Sequence, residues 1–215
     1  MILDLIVQDG DMIGLFTKSM DNTWFGVACD ENRIYATTFA KSREKVLSIL
    51  CDRLPFGTPF KAFKKPSPFA ERAILAIKSS YDGKAECEDF QLATEYLSEY
   101  KRKVLEVCAQ IPLGYVASYG DVAKAAGGSP RSVGGVMANN PFAPIIPCHR
   151  VVKSDFSLGG YGKGTEMKLE LLTREKRGRI SGRDILIDEK KLGVHPTEIV
   201  LNKLKKRKPT EKCCV

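Results

Sequence analysis

The sequence predicts an α+β protein, and two observations lead to that class. The first 60 residues contain short, partly alternating apolar runs separated by turn-forming Asp, Asn and Gly, which is typical of antiparallel strands. These runs are Ile2–Val7, Met12–Thr17, Trp24–Cys29 and Ile34–Phe39. From Ser42 onward, apolar side chains recur mainly at helical spacing. A small antiparallel sheet with helices is therefore expected first, followed by a mainly helical region.

Length and composition bound the class of protein. The chain has 215 residues, of which 43% are hydrophobic and 28% charged, so one large or two small folded domains are expected and a disordered chain is excluded. No apolar run approaches the roughly 18 residues of a membrane helix. The N-terminus lacks the basic start of a secretion signal. We therefore expect no membrane association and a cytoplasmic location, or a nuclear one in a eukaryote.

The seven cysteines show no metal or disulfide pattern. Their number is odd, no CxxC pair occurs, and the chain has only two histidines, His149 and His195. Neither a disulfide framework nor a Cys/His zinc site is expected, and we predict no bound metal.

Charge is divided unevenly along the chain. Residues 1–100 carry 12 basic and 15 acidic side chains, whereas residues 101–215 carry 22 basic and 11 acidic ones. An excess of positive charge in one half suits contact with a polyanion such as DNA. A basic tail that only keeps the protein soluble explains the same imbalance, and charge alone does not separate the two.

Helical patterns and turn residues divide the chain into three parts. The first includes two helices, Ser42–Leu54 and Pro68–Ser80, and ends in a polar stretch at Tyr81–Asp89. We predict domains at 1–88 and 89–177, with a basic extension at 178–215. The elements expected after residue 89 are a helix over Gln91–Cys108, a strand over Tyr115–Ala117, and helices over Ser118–Ala126, Arg131–Ala138, Thr165–Lys176 and Thr197–Lys208.

Two of these helices form a helix-turn-helix pattern. Gly127-Gly128 separates them, and Ser129-Pro130 supplies an N-cap followed by proline at the first helical position. In DNA-binding proteins the second helix of such a pair enters a groove, but many enzymes contain similar two-helix corners that bind nothing.

Pro147-Cys148-His149-Arg150 is the main candidate for chemistry. A cysteine is a nucleophile as its thiolate, and a neighbouring base or cation favours that form. On a strand, the side chains of Cys148 and His149 would point to opposite faces, so a proton relay needs a bend or a bridging water. A buried structural cysteine beside an unrelated histidine is the alternative explanation.

Five blocks resemble one known family. Ile146-Pro147-Cys148-His149-Arg150-Val151-Val152 is similar to the active-site signature of the O6-alkylguanine-DNA alkyltransferases, or methylated-DNA–protein-cysteine methyltransferases. The other blocks, in the family's order and at similar spacing, are Ile111-Pro112-x-Gly114-x-Val116-x-Ser118-Tyr119-Gly120, Ser129-Pro130-Arg131-Ser132-Val133-Gly134-Gly135, Asn140-Pro141 and Gly160-Tyr161. They cover Tyr100–Glu175, so the resemblance does not extend into the basic extension.

The resemblance implies a fold and a reaction. The first domain would be ribonuclease H-like and the second a helical, winged-helix-like module. The reaction would transfer an alkyl group from O6 of guanine in duplex DNA to Cys148, once per molecule, without a cofactor. His149 would act on Cys148 as a water-mediated base and Glu175 would orient His149. Tyr119 would protonate the leaving base, and Asn140 would hold the cysteine loop.

The same resemblance implies how DNA is bound. The protein would act as a monomer on double-stranded DNA containing O6-alkylguanine, docking in the minor groove and rotating the damaged nucleotide out of the helix. Arg131 would replace the extruded base. The other expected DNA contacts are Ser129, Ser132, Gly134 and Gly135, and the expected base pocket comprises Tyr161, Gly160, Gly162, Met137, Val151 and Lys168.

Three other functions are compatible with parts of the pattern. A damage sensor of the alkyltransferase-like kind lacks the acceptor cysteine, which is present in this chain. A transcription regulator would read the major groove, to which Gly134-Gly135 offers no side chains. A thiol hydrolase needs a route by which a second nucleophile reaches the intermediate, and the sequence reveals none. Gly162-Lys163 also departs from many relatives, which have serine after the pocket tyrosine, so the substrate range is left open.

Overall fold

The computed structural model describes residues 12–84 and 89–207, the last two of them as backbone only. Within those residues, helices and two sheets form two compact units, which confirms the mixed α and β composition. Unit 1 contains residues 12–81, 89–98 and 141–145, and unit 2 contains 82–84, 99–140 and 146–207. The predicted strand Ile2–Val7 and the predicted boundary at residue 88 lie outside the described residues.

Unit 1 is built on a five-stranded sheet. Strands β1 (Ile13–Met20), β2 (Thr23–Cys29) and β3 (Arg33–Ala40) form the predicted antiparallel meander. Two short strands add parallel edges, β4 (Phe60–Ala62) beside β1 and β5 (Gln91–Leu92) beside β3.

Helix α1 (Arg43–Arg53) packs closely on this sheet. It lies within the predicted helix, and Ser42 caps it by accepting a hydrogen bond from the backbone N–H of Lys45. A Cβ atom at Gly26 would lie 2.2 Å from the Val46 side chain, so only glycine allows the helix to approach the sheet this closely. Helix α2 (Pro68–Tyr81) completes the helices of the unit.

The helix predicted over Gln91–Cys108 is shorter in the structure. Helix α3 spans Glu99–Ala109, and Gln91–Leu92 instead pairs with β3. The backbone N–H of Ala93 also donates to the Ile34 carbonyl. Pairing with a strand that is distant in sequence satisfies the backbone groups of this segment, which overrides its helical pattern.

Four of the helices in unit 2 follow the predicted pattern closely. Ser118 caps α4 (Tyr119–Ala126), and Ser129 caps α5 (Pro130–Ala138) with a reciprocal capping box. The glycine turn joins α4 and α5, as predicted. Helix α6 spans Thr165–Arg174, but Gly164 and not Thr165 occupies its N-cap position. Helix α7 (Thr197–Arg207) matches the predicted basic helix.

The predicted extension 178–215 contributes strands to unit 2. Its four-stranded sheet has the order β7-β6-β9-β8, in which β9 (Lys190–Pro196) pairs antiparallel with β6 (Tyr115–Ser118). Strand β8 (Arg183–Ile187) forms a hairpin with β9, and β7 (Val151–Val152) pairs with β6 on its other edge. This part of the extension is therefore integral to the sheet of unit 2, a difference from the prediction of a separate segment.

No helix within the described ranges is long and apolar enough to cross a bilayer.

Candidate active site

Cys148 lies in a tight turn and not in a strand. Cys148, His149 and Arg150 form a single 3-10 turn between Pro147 and β7. Within this turn Cys148 is only 4% exposed and His149 is fully buried. The alternation of faces that a strand would impose on these two side chains therefore does not apply.

The Cys148 side chain lines a cavity of about 350 Å³, near the lower end of the range for ligand pockets. The lining comes from α4, α5, the cysteine turn and the glycine-rich loop before α6. Its residues are Tyr119, Gly134, Met137, Ala138, Cys148, Gly160, Tyr161 and Gly162. The wall thus combines one thiol and two phenols with small residues that leave room for a planar group.

A buried ionic network lies behind the thiol. His149 Nε2 is 2.8 Å from Glu175 Oε1, and Glu175 is 1% exposed at the end of α6. Arg150 donates to both carboxylate oxygens of Glu175, each at 2.9 Å, and its Nη1 donates to the Ile111 carbonyl. The guanidinium and carboxylate therefore form a paired, two-point contact inside the fold.

This network determines which imidazole nitrogen carries the proton. Burial alone would raise the pKa of Glu175, but His149 and Arg150 outweigh it and lower that pKa to about 2. Because an ionised carboxylate only accepts hydrogen bonds, Nε2 of His149 must donate to it. Burial lowers the pKa of His149, so the ring is neutral near pH 7 and its Nδ1 has a free lone pair. Nδ1 has no hydrogen-bond partner among the described residues, and it is the nitrogen that can take up a proton.

Asn140 holds the cysteine turn. Its Nδ2 donates to the Ile146 carbonyl oxygen at 2.9 Å, and the same oxygen accepts from the Cys148 backbone N–H. Burial raises the pKa of the Cys148 thiol, while a hydrogen bond from the Asn140 side chain and the charge of Lys168 oppose that rise. The thiol is therefore protonated at rest and needs a base for activation.

The two tyrosines of the cavity are both protonated. Tyr119 Oη donates to the Gly160 carbonyl at 3.4 Å, and burial followed by the nearby Cys148 raises the pKa of Tyr119. Burial raises the pKa of Tyr161 well above its usual value. The Tyr161 hydroxyl is buried without a hydrogen-bond partner in the described part of the chain.

Lys168 supports the cavity wall from behind. The side chain is fully buried, and its ammonium donates to the carbonyls of Val151, Leu158 and Gly160 at 2.6, 2.6 and 3.3 Å. Burial lowers the pKa of Lys168 to about 8. The ammonium joins β7 to the glycine-rich loop and does not line the cavity.

The N-terminus of α5 presents the predicted DNA-contact residues. Arg131 and Ser129 are exposed, and Gly135 is exposed one turn further along the helix. Ser132 Oγ is 2.6 Å from the Tyr100 hydroxyl, which ties α5 to α3. Gly134, in the same helix, lines the cavity.

The structure places the predicted catalytic and pocket residues in three groups. Cys148, Tyr119, Met137 and the Gly160–Gly162 segment line the cavity, and His149, Glu175 and Asn140 lie behind it. Val151 and Lys168, which were predicted to line the pocket, lie outside its lining, because Val151 is completely buried in β7 and Lys168 beneath the loop.

Two residues of the site were not predicted. Ala138 lines the cavity, and Arg150 completes the network around Glu175. Nothing in the sequence distinguishes Ala138 from other helical alanines. Arg150, however, adjoins the Cys-His pair, and a charged residue between Cys148-His149 and the apolar Val151-Val152 is the signal from which a buried acidic partner could have been predicted.

Comparison with known proteins identifies the family. A family model described as "6-O-methylguanine DNA methyltransferase, DNA binding domain" matches residues 99–177. The chain is 45% identical over 162 residues to a methylated-DNA–protein-cysteine methyltransferase of Methanocaldococcus jannaschii, covering 75% of this chain and 93% of that relative. The chain belongs to the methylated-DNA–protein-cysteine methyltransferase family. The resemblance carried by the sequence motifs is thereby confirmed.

Other members of the family match over shorter stretches. The relative from Pyrobaculum aerophilum is 60% identical over 115 residues, which cover 54% of this chain and 68% of that protein. The relative from Methanothermobacter thermautotrophicus is 44% identical over 113 residues, which cover 50% of this chain and 62%, less than two thirds, of that protein.

Solved structures of the family share the fold. The O6-methylguanine-DNA methyltransferase of Pyrococcus kodakaraensis is 29% identical with a TM-score of 0.59, covering 76% of this chain and 99% of that one. An enzyme of Mycobacterium tuberculosis crystallised in complex with DNA has the same TM-score at 23% identity, covering 76% and 92% of the two chains. At that identity the likeness shows the fold alone. The ribonuclease H-like and winged-helix labels stay predictions.

Proposed function

We propose that this methyltransferase repairs duplex DNA by transferring an alkyl group from O6 of guanine to Cys148, once per molecule. The observation that carries the proposal is a buried thiol opening onto a small cavity, with a neutral imidazole and its carboxylate directly behind it. Family membership supports the same reaction.

The proposed reaction begins with the thiol proton. His149 Nδ1 takes that proton, directly or through a water molecule, and Glu175 stabilises the imidazolium. The sulfur then attacks the alkyl carbon, the S–C bond forms, and the C–O6 bond breaks with its electron pair passing to guanine.

Tyr119 completes the proton balance. Its phenol gives a proton to ring N3 of the departing guanine, and the proton held by His149 restores the phenol through solvent. The products are unmodified guanine and an S-alkylated Cys148. Removing the alkyl group again would require a second nucleophile to break the S–C bond and expel the Cys148 thiolate. No such step is proposed, so each molecule reacts once.

We infer that the guanine reaches Cys148 only after rotating out of the base stack, because O6 is inaccessible inside a duplex. Arg131 would occupy the gap, since it is exposed at the first turn of α5, which also lines the cavity. The small residues Ser132, Gly134 and Gly135 would let α5 approach the minor groove closely.

A labelling experiment tests the reaction. The protein is incubated with a duplex carrying radiolabelled methyl on guanine O6, and protein-bound label is counted. We expect at most one label per protein. Cys148→Ala should abolish labelling, whereas Cys108→Ala, which alters a buried cysteine of α3 outside the cavity lining, should retain it. Multiple turnovers, or label retained in Cys148→Ala, would contradict the proposal.

A second experiment tests Arg131. Arg131→Ala should slow transfer from a duplex by about tenfold or more, but change the reaction with free alkylated guanine by less than about twofold, because only the duplex requires a gap to be filled. Rates are compared at equal protein concentration. Equal losses on both substrates would contradict the role of Arg131 in base extrusion.

A further inference from the structure

The segment Lys153–Gly160, which we call the pocket loop, connects β7 to the cavity wall. At its end the Gly160 carbonyl accepts hydrogen bonds from Tyr119 and Lys168, and the Leu158 carbonyl accepts another from Lys168. A Cβ atom at Gly159 would lie 3.0 Å from the Tyr119 ring. The position of this loop therefore determines where Tyr119 and Gly160 stand in the cavity.

The pocket loop contains a tight turn with an unfavourable backbone conformation. Phe156 has a φ of +61°, in the left-handed region that bulky residues seldom adopt. Hydrogen bonds close the turn between Lys153 and Ser157, and Asp155 accepts from Ser157. A residue keeps such an unfavourable backbone conformation only when surrounding contacts hold it in place.

Those surrounding contacts come from β9 and α7. Lys203 of α7 donates to the Asp155 carbonyl and pairs with its carboxylate at 3.1 Å. The His195 ring of β9 packs edge-on against Phe156, with 4.9 Å between ring centroids. Val200 and Leu204 of α7 belong to the same apolar cluster as Phe156 and Leu158. Polar and apolar contacts thus converge on one loop.

The elements that make these contacts lie outside the segment that matches the family's DNA-binding domain, which ends at residue 177. We propose that β9 and α7 act as a positioning element for the active site, with Lys203 and His195 as positioning residues that hold the pocket loop against Tyr119. This inference rests on the proposed function, because it concerns the cavity in which that reaction would occur.

The weakness of the ion pair makes the inference testable. Lys203 and Asp155 are partly exposed, and exposed ion pairs contribute little to stability. Removing the Lys203 ammonium should therefore leave the fold intact while releasing the loop. The variants are Lys203→Ala, the double variant Lys203→Ala/His195→Ala, and Lys203→Arg, which keeps a donor for Asp155.

Lys191→Ala is the matched control. It removes a lysine of β9 near the turn of the β8–β9 hairpin, where Lys191 pairs with the exposed Asp184 at 3.6 Å and not with a residue of the pocket loop. It also removes the same single charge, so any general weakening of DNA binding is common to both variants.

Single-turnover transfer is measured from duplexes carrying O6-methylguanine or the bulkier O6-benzylguanine, with melting temperatures recorded in parallel. We expect the limiting rate of the double variant to fall by about threefold to tenfold. Loss of a modest interaction between neighbouring residues produces a change of this size. In the double variant, the ratio of the benzyl-transfer rate to the methyl-transfer rate should change by about threefold. The DNA concentration that gives half the limiting rate should stay within about twofold of the parent's. Lys203→Arg and Lys191→Ala should behave as the parent protein.

Amide hydrogen exchange provides a readout that does not depend on activity. In Lys203→Ala, amides of the pocket loop should exchange faster while those of α3 are unchanged. Unchanged loop exchange together with an unchanged rate ratio would overturn the inference, as would rates that fall only in step with the melting temperature. If the parent protein transfers no alkyl group but the loop amides respond, the proposed function fails and the positioning contact stands.

Discussion

Glu175 is an ionised carboxylate in the interior of unit 2, and its partners explain how it is tolerated. An unpaired buried charge is strongly unfavourable, but Arg150 contacts both carboxylate oxygens and balances the charge. The second donor, His149, then stays neutral with Nε2 protonated. Arg150 therefore keeps Glu175 in the state that orients the imidazole.

Removing Arg150 should expose this dependence. Arg150→Ala leaves Glu175 buried with one fewer partner, and we expect a loss of about 3–5 kcal/mol in the free energy of unfolding. Arg150→Lys should keep more of the free energy of unfolding than Arg150→Ala but less than the parent, because lysine cannot make the two-point contact. Urea denaturation measures both. Lys103→Ala, which breaks an exposed pair with Glu99, should change the free energy of unfolding very little. A similar small loss in Arg150→Ala would contradict this account.

The buried imidazole should make stability depend on pH. Because burial lowers the folded-state pKa of His149 below 6.5, the unfolded chain takes up its proton at a higher pH than the folded chain does. The contribution of the neutral His149 to the free energy of unfolding is complete above pH 6.5. It is lost as the pH falls through the lower, folded-state pKa. Unfolding free energies of the parent and His149→Gln, measured between pH 7.5 and 5.5, should show a shallower decline in the variant.

The rate of alkyl transfer should fall in the same acidic window, because protonated Nδ1 cannot accept the thiol proton. The parent and His149→Gln differ at residue 149 alone, so the comparison of their stability curves isolates His149. Parallel stability curves for the parent and the variant would be inconsistent with a buried, neutral His149.

Among the helices, α5 joins the two parts of the proposed function. Its first turn presents Arg131, and its third turn lines the cavity with Met137 and Ala138. The capping box of Ser129 and Ser132 fixes where this helix begins. A frayed first turn would displace Arg131 while leaving Met137 in place.

Removal of the α5 cap should separate stability from repair. Ser129→Ala should lower the free energy of unfolding by about 1 kcal/mol, the usual effect of losing an N-cap. Ser42→Ala removes the corresponding cap of α1 in unit 1 and should have a similar effect on stability. Only Ser129→Ala should slow transfer from duplex DNA. Equal transfer rates in the two variants would show that the cap has no part in DNA binding.

For the chain as a whole, the positive charge lies mainly after residue 100, in the part that contains α5 and the cavity. Phosphate neutralisation by lysine and arginine releases counterions, so binding that depends on it weakens as salt is added. Reaction with a free base has no such component. The two substrates should therefore respond differently to ionic strength.

Affinity for an undamaged duplex should fall by about tenfold or more between roughly 50 and 200 mM salt. Over the same range, the rate of reaction with free O6-benzylguanine should change by less than about twofold. Fluorescence anisotropy measures the first quantity and protein labelling the second. Duplex affinity that is independent of salt would exclude the basic half as a phosphate-contacting surface.

The local features of the chain were readable from its residues. Strands β1 to β3 follow from alternating apolar residues and α1 from apolar residues at helical spacing. Helices α4 and α5 follow from Ser118 and Ser129 at their N-caps, because these preferences act within a few residues. The Cys148–Arg150 motif indicated the family, which the comparisons confirm. The candidate reactive residues were therefore predicted from the motif alone.

Features that depend on distant partners were not readable. Strand β5 was predicted as helix because its partner, β3, lies nearly 60 residues away in the chain. The β8–β9 hairpin was missed because Asp188-Glu189 turns with positive φ at both residues, without the Asn-Gly pair that favours such turns. Lys168 was predicted to face the pocket, yet three carbonyls bind its ammonium beneath the loop. Motifs indicate which side chains are candidates for the reaction, whereas burial, pairing and support depend on contacts between segments that only folding brings together.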